Sequence, residues 1–247
     1  MKARVTALLA QLRIELVLAL RRGESILITL VVPVVLLVFF GAIAPPAVTG
    51  NERPTDFLVP GLLALAIMST SMVSLGIATA YERYYGALKR LLGSPLPRTG
   101  LLAAKTLSVL LIEAIQVALL TGIARFAFGW RPTGSPLTAV LALALGSAAF
   151  AWLGLLMAGT LRAEATLAVA NGLYLLFLLV GGFIFPIERL PGSLENLAKI
   201  LPAAALTDAT RVALIAGPTQ DLVEPLGLLA GWAVVAIGAA ALTFRAD

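Results

Sequence analysis

Glu113 is an acid placed inside an apolar run, Leu101 to Phe126, with Gln116 three residues further on. An ionisable side chain at membrane depth points to function by default. The chemistry open to Glu113 is proton or cation coupling, pairing with a basic residue of the amino-terminal segment, or residence in a polar crevice. Asp208 and Arg211, three apart, can pair on one helix face. Glu82 and Arg83 open a charged and aromatic stretch, Tyr81 to Pro97, that suits docking better than chain reversal alone. Other chemistries lack their parts. The chain has no His and no Cys, no paired aspartates at metal-binding spacing and no Gly-x-Ser-x-Gly turn, so an intramembrane hydrolase has nothing to work with. Without cysteine there are no disulfides and no thiolate metal sites.

The elements that must hold these residues are apolar helices. Of 247 residues 60% are hydrophobic and 13% charged, and the mean hydropathy is +1.00. A water-soluble domain cannot bury so much apolar surface. Six runs approach the roughly 20 residues needed to cross a bilayer: Ile26 to Ile43, Phe57 to Thr79, Leu101 to Phe126, Leu137 to Ala158, Ala165 to Phe185 and Leu222 to Phe244. The short alternating segments of a β-barrel are not visible. The expected fold is therefore all-α, a polytopic membrane protein with six transmembrane helices, in a single domain over 1–247.

Basic residues set the orientation. Lys2, Arg4, Arg13, Arg21, Arg22, Arg83, Lys89, Arg90, Arg98, Lys105, Arg162 and Arg245 fall on one set of ends. Arg53, Arg125, Arg131, Arg189, Lys199 and Arg211 fall on the other. The richer side, with both termini, is assigned to the cytoplasm of a bacterial cell membrane. The net charge of +5 then reflects topology and contact with anionic lipid, not nucleic-acid binding.

Three segments are more than spans or linkers. In 1–24, Val5, Leu8, Leu9, Leu12, Leu16 and Leu20 share a face, with Arg4, Gln11, Glu15 and Arg22 beside it, as in an interfacial helix. Its interrupting Arg13 and Glu15 make it a poor signal peptide. In the loop 80–99, a short helix Glu82 to Leu92 is expected to end at Gly93, Pro95 and Pro97. After the fifth run, Gly181, Gly182 and Pro186 are placed to break the helix. The region 186–217 then reads as short helices re-entering the outer leaflet, interrupted at Pro202, which requires protein or water around their backbone ends.

The wording of these loops resembles a family. Glu82-Arg83-x-x-Gly86-x-x-x-x-Leu91-Leu92-x-x-Pro95 is similar to the coupling loop of ABC type-2 exporter permeases. Gly182-x-x-x-Pro186-x-x-x-Leu190-Pro191 resembles their second signature. Leu201-Pro202 to Asp208-x-x-Arg211 resembles the element before their sixth span, although Ala203, Ala204 and Ala205 replace its polar and aromatic run. The resemblance covers essentially the whole chain, and daunorubicin-type drug-resistance permeases look nearest.

The resemblance implies a half-transporter. Two permeases, identical or paralogous, would form the pathway, and two nucleotide-binding subunits carrying ATP and Mg would drive it. The chain itself would need no cofactor and would not be an enzyme. It has no Gly-x-x-x-x-Gly-Lys-Ser/Thr loop. The expected function is multidrug export, in which an amphipathic drug or lipid-like molecule leaves the cell by alternating access. Other members of the family move polysaccharides, teichoic acids or sodium, and a membrane subunit that only anchors an ATPase is the alternative of another class. On this reading Glu82, Arg83, Gly86, Leu88, Lys89, Leu91 and Leu92 contact the ATPase. Met68, Thr70, Met72, Ser74, Asn171, Tyr174 and Phe177 are candidates for the pathway wall, helix packing being the other reading of the Met and aromatic positions. Gly182, Pro186, Pro191, Asp208 and Arg211 form an outer gate.

Overall fold

The computed structural model describes residues 2–21, 23–43, 53–87, 98–215 and 222–243. They form α1 (Lys2–Arg21), α2 (Gly23–Ile43) and α3 (Pro54–Tyr84), whose middle, Ser69–Ser74, is a wider π turn. Next come α4 (Arg98–Ala127), α5 (Pro136–Thr160) and α6 (Ala163–Val180). A 3-10 turn at Ile187–Arg189 leads to α7 (Gly192–Lys199), α8 (Pro202–Ile215) and α9 (Val223–Thr243). No strand occurs among the described residues.

Among the described residues, five helices are long and apolar enough to cross a membrane: α3, the Ala103–Ala127 part of α4, α5, α6 and α9. The first expected run falls on α2, which contributes the shorter apolar stretch Thr29–Ala42. α3 is the central post. Its apolar window is 89% buried, against 22% for α6 and for α9, so the latter two lie on the outside. Leu58, Leu62, Leu65, Met68 and Met72 of α3 meet Phe150 of α5, Phe183 and Leu206 in one core. Small residues let these backbones touch. A Cβ on Gly154 would stand 2.6 Å from the Met72 carbonyl oxygen, and one on Gly61 would stand 2.1 Å from that of Phe183.

The fifth expected run stops short. α6 ends at Val180, where the Gly181 amide donates to the Phe177 carbonyl (2.7 Å) and Gly182 takes φ +72°, which only glycine adopts without strain. The chain then turns through Pro186 and starts α7 after Pro191. α8 is not a loose outer helix. Ala203, Ala204, Ala205, Leu206, Thr207 and Ala209 are buried against α3, α5 and α9. Alanines in place of bulkier residues are what that packing admits, since Leu206 already fills the space a Cβ on Gly146 would need. The carbonyls at the end of α8 are satisfied by the loop before α5. Thr133 and Gly134 amides donate to Leu214, and the Ser135 amide donates to Ala213.

α1 packs through its polar side. Gln11 and Glu15, which lie beside its leucine face, are buried, whereas Leu9 is 56% exposed. The reason is a cation on the helix it packs against.

Candidate functional site

α2, α3 and α6 enclose a cleft of about 840 Å³. α2 supplies Thr29, Val32 and Pro33, and α6 supplies Leu167, Asn171, Tyr174 and Leu178. The floor is α3 from the π turn downward: Ser69, Val73, Ser74, Ile77, Ala78, Tyr81 and Glu82. Leu18 of α1 and Tyr85 close one end. The wall is aliphatic, with hydroxyls and one amide spaced along it, a surface suited to an amphipathic molecule of drug size.

Of the residues expected on a pathway wall, the structure places Ser74, Asn171 and Tyr174 on this cleft. Met68, Met72 and Phe177 are instead core residues, with Phe177 edge-to-face on Phe150. Thr70 is 3% exposed and donates to Gln116 Oε1 of α4 (2.9 Å). Thr70 and Met72 lie in the π turn itself, Met68 just before it and Phe177 on α6. Thr29, Pro33, Val73, Ile77 and Tyr81 line the cleft as well.

At the α1 end of the cleft lies a buried ion cluster. Lys105, 1% exposed, is held between two carboxylates, Glu82 Oε2 at 2.5 Å and Glu15 Oε1 at 3.0 Å. Gln11 Nε2 donates to Glu15 at 2.8 Å. The cluster ties α1, the end of α3 and the start of α4 together. A chamber of about 50 Å³ opens beside it, lined by Thr29, Thr70, Ser74 and Ser108 as well as the three charges. Such a polar chamber has room for several waters.

This placement corrects the expected role of Glu82, which faces inward to Lys105 and is not presented to a partner. Arg83 donates to the Leu161 carbonyl at the end of α5. The helix expected from Glu82 to Leu92 can be followed only to Ala87: Glu82 to Tyr84 form the end of α3, Tyr85 and Gly86 make a turn, and Ala87 is helical again. Gly86 has φ +69° and open space around it. Tyr84 and Tyr85 are 63% and 70% exposed and stack around Tyr81. Leu88, Lys89, Leu91 and Leu92 lie outside the described residues.

Glu113, one of the buried acids, is 2% exposed on α4. The Ser147 hydroxyl of α5 is the polar group beside its carboxyl, near enough to interact but outside good hydrogen-bond geometry, and no basic side chain reaches Glu113 among the described residues. The expected pairing with the amino-terminal helix is made by Lys105 and Glu15 instead. At the far end of the bundle, Arg211 reaches Asp208 Oδ1 (3.4 Å) and the Gly182 carbonyl (2.9 Å), with its guanidinium 4.1 Å from the centre of the Phe57 ring. Arg211 thus clamps α8 to the break after α6 and to the start of α3. Pro186 and Pro191 shape that same turn.

Residues 6–215 match the family model described as ABC-2 type transporter. The chain is similar to YvfS of Bacillus subtilis, a transport permease by name, with 24% identity over 196 residues, 76% of this chain and 78% of YvfS. It is similar to YbhR of Escherichia coli K12, a multidrug ABC transporter permease by name, with 24% identity over 168 residues, 68% of this chain and 46% of YbhR. LnrN of Bacillus subtilis, a linearmycin resistance permease protein by name, is 27% identical over 191 residues, 75% of this chain and 48% of LnrN. The chain thus spans most of YvfS and about half the length of YbhR and LnrN.

Proposed function

The chain belongs to the ABC-2 type transporter family, and on that premise we propose that it is the membrane half of an ATP-driven exporter whose cargo passes along the cleft between α2, α3 and α6. Permeases of this family work with ATP-binding subunits. The cleft is the observation that carries the reading, because its size and aliphatic wall suit an amphipathic drug or lipid-like molecule. Relatives named for multidrug transport and for linearmycin resistance support a drug-like cargo.

The working unit is two permeases and two ATP-binding subunits, the second permease being a copy or a paralogue that faces α2, α3 and α6 and closes the open side of the cleft. α2 serves as the sixth span, both termini face the cytoplasm of a bacterial cell, and the break after α6 with α7 and α8 forms the outer gate. Alternating access follows from rigid-body movement of the two halves. ATP and Mg stay in the partner. The loop after Tyr85, with Gly86, Leu88, Lys89, Leu91 and Leu92, is the docking element for that partner, next to the exposed Tyr84 and Tyr85.

The test is the complex in liposomes, assayed for vectorial movement of amphipathic dyes with and without ATP. ATP-dependent movement that requires this chain is expected. Assembly with an ATPase but no movement of any cargo would leave an anchoring subunit. Gly86→Trp is expected to insert normally, since it touches no span. It should weaken ATPase binding, because a bulky residue strains a backbone at φ +69° and fills the docking space. Unchanged assembly and export would remove the loop from the mechanism.

A further inference from the structure

Two of the three helices that wall the cleft are irregular, and both are irregular where they line it. On α2 the irregularity is Pro33. An α-helix pairs the carbonyl of residue i with the amide of residue i+4. The Thr29 carbonyl is thereby assigned to residue 33, and proline has no N–H to give. On α3 the irregularity is the π turn Ser69–Ser74. Thr29 and Pro33 line the cleft from one side, and Ser69, Val73 and Ser74 line it from another. Helices bend at prolines and at π turns, so both walls have their softest point beside the cleft.

One side chain, Gln116 of α4, reaches both irregularities. Its Nε2 donates to the Thr29 carbonyl (3.4 Å), in place of the amide that Pro33 lacks. Its Oε1 accepts from Thr70 Oγ1 inside the π turn (2.9 Å). Gln116 and Thr70 are both buried. An amide suits the task, because one planar group supplies a donor and an acceptor together, whereas an ionised carboxylate only accepts. Gly154 of α5 backs the same π turn from another side, close against the Met72 carbonyl. Gln116 itself stands behind the wall and is not among the residues that line the cleft.

We infer that Gln116 is a positioning residue for cargo: by pinning α2 at its proline to α3 at its π turn, it fixes the spacing of two cleft walls before cargo arrives. Walls set in advance reduce the ordering that binding must otherwise impose. Loss of the pin leaves each wall free to bend on its own, so cargo meets a cleft it has to shape. The effect on cargo rests on the proposal that cargo uses this cleft. The pinning of α2 to α3 does not.

The pinning is tested on the full chain in phospholipid nanodiscs. The sequence has no cysteine, so Val38→Cys, on α2 beyond Pro33, and Leu141→Cys, on α5, both exposed, accept a unique pair of spin labels. Labelled chain is diluted with unlabelled chain, and the distance distribution between the labels is measured. Gln116→Met, which keeps the length of the side chain and loses both bonds, is expected to broaden it. Thr70→Val should broaden it less, and is the milder variant should Gln116→Met fold poorly. Thr70→Ser, which keeps the hydroxyl, should leave it native. Pro33→Ala returns an amide to residue 33, so adding it to Gln116→Met should narrow the distribution again. A native distribution in Gln116→Met, or no narrowing by Pro33→Ala, overturns the pinning. The effect on cargo is tested on the complex with its ATPase in liposomes. Gln116→Met is expected to raise the dye concentration for half-maximal transport roughly tenfold, with the maximal rate close to native, the split that marks lost binding and not lost turnover. An unchanged half-saturating concentration, or an equal fall in maximal rate, overturns the positioning role. No ATP-driven movement of any dye by the native complex would count against the exporter reading and leave the spin-label result intact.

Discussion

Lys105 and Glu113 sit eight residues apart on α4, both almost wholly buried, and the bundle treats them in opposite ways. Lys105 is surrounded by two carboxylates, by Gln11 through Glu15, and by a small polar chamber. Glu113 has the Ser147 hydroxyl beside it and no opposite charge among the described residues. Burying a charge is tolerable only with an opposite charge and further hydrogen bonds. The first site meets that condition with groups drawn from three helices. The second does not, so it contributes cost without adhesion. The difference separates a structural joint from a site that stability does not account for.

Equilibrium unfolding of the purified chain in detergent can break or sharpen this contrast. The largest effect is expected from Lys105→Met, which leaves two carboxylates facing each other. A loss of about 3–5 kcal/mol is expected, and a loss below about 1 kcal/mol would show that the cluster is not a joint. Gln11→Leu removes a hydrogen bond to the Glu15 carboxylate and should cost about 1.5–3 kcal/mol, with Lys105 still held by both acids. The smallest effect has the reverse sign. Glu113→Met removes a buried acid whose one polar neighbour, Ser147, is poorly aligned with it, and should stabilise by on the order of 1 kcal/mol. A clear destabilisation there would mean that Glu113 is hydrogen-bonded in the membrane, and the two sites would no longer differ in kind.

Much of the bundle was legible because it depends on local composition. Apolar runs gave α3, α4, α5 and α9 to within a few residues. Gly181 with Gly182 marked the end of α6, and Pro202 marked the start of α8. The three-residue spacing of Asp208 and Arg211 gave their pairing. The ion cluster was not legible in the same way. Lys105 reads as one more basic residue on the positive side, and only the fold brings it to Glu15, 90 residues earlier. A signal was present, since Lys105 falls past the start of an apolar run and Glu15 interrupts the leucines of α1. For the same reason the burial of α1's polar side was not legible. Its leucines outnumber its polar residues, and periodicity cannot register that a buried ammonium on α4 attracts the polar side. Ser74, Asn171 and Tyr174 line the cleft while Phe177, one turn after Tyr174 on the same helix, turns into the core, a distinction that residue type does not carry.

The irregularity in α3 has a consequence for how the helix tolerates changes in its length. A π turn closes i to i+5 where an α turn closes i to i+4, so Ser69–Ser74 stores one surplus residue between two straight halves. Removing one residue inside that turn lets it relax to ordinary α geometry, and the halves keep their mutual orientation. Above it Gly61 stays against Phe183, and below it Glu82 stays against Lys105. The same deletion a turn earlier, among Leu62 to Leu65, has no slack to absorb it. The residues between the deletion and the π turn, Ala66, Ile67 and Met68 among them, would swing by about 100° out of the core even if the turn relaxed beyond them. Single-residue deletions walked along α3 should therefore be survivable in one six-residue window and ruinous on the core-packed stretch before it.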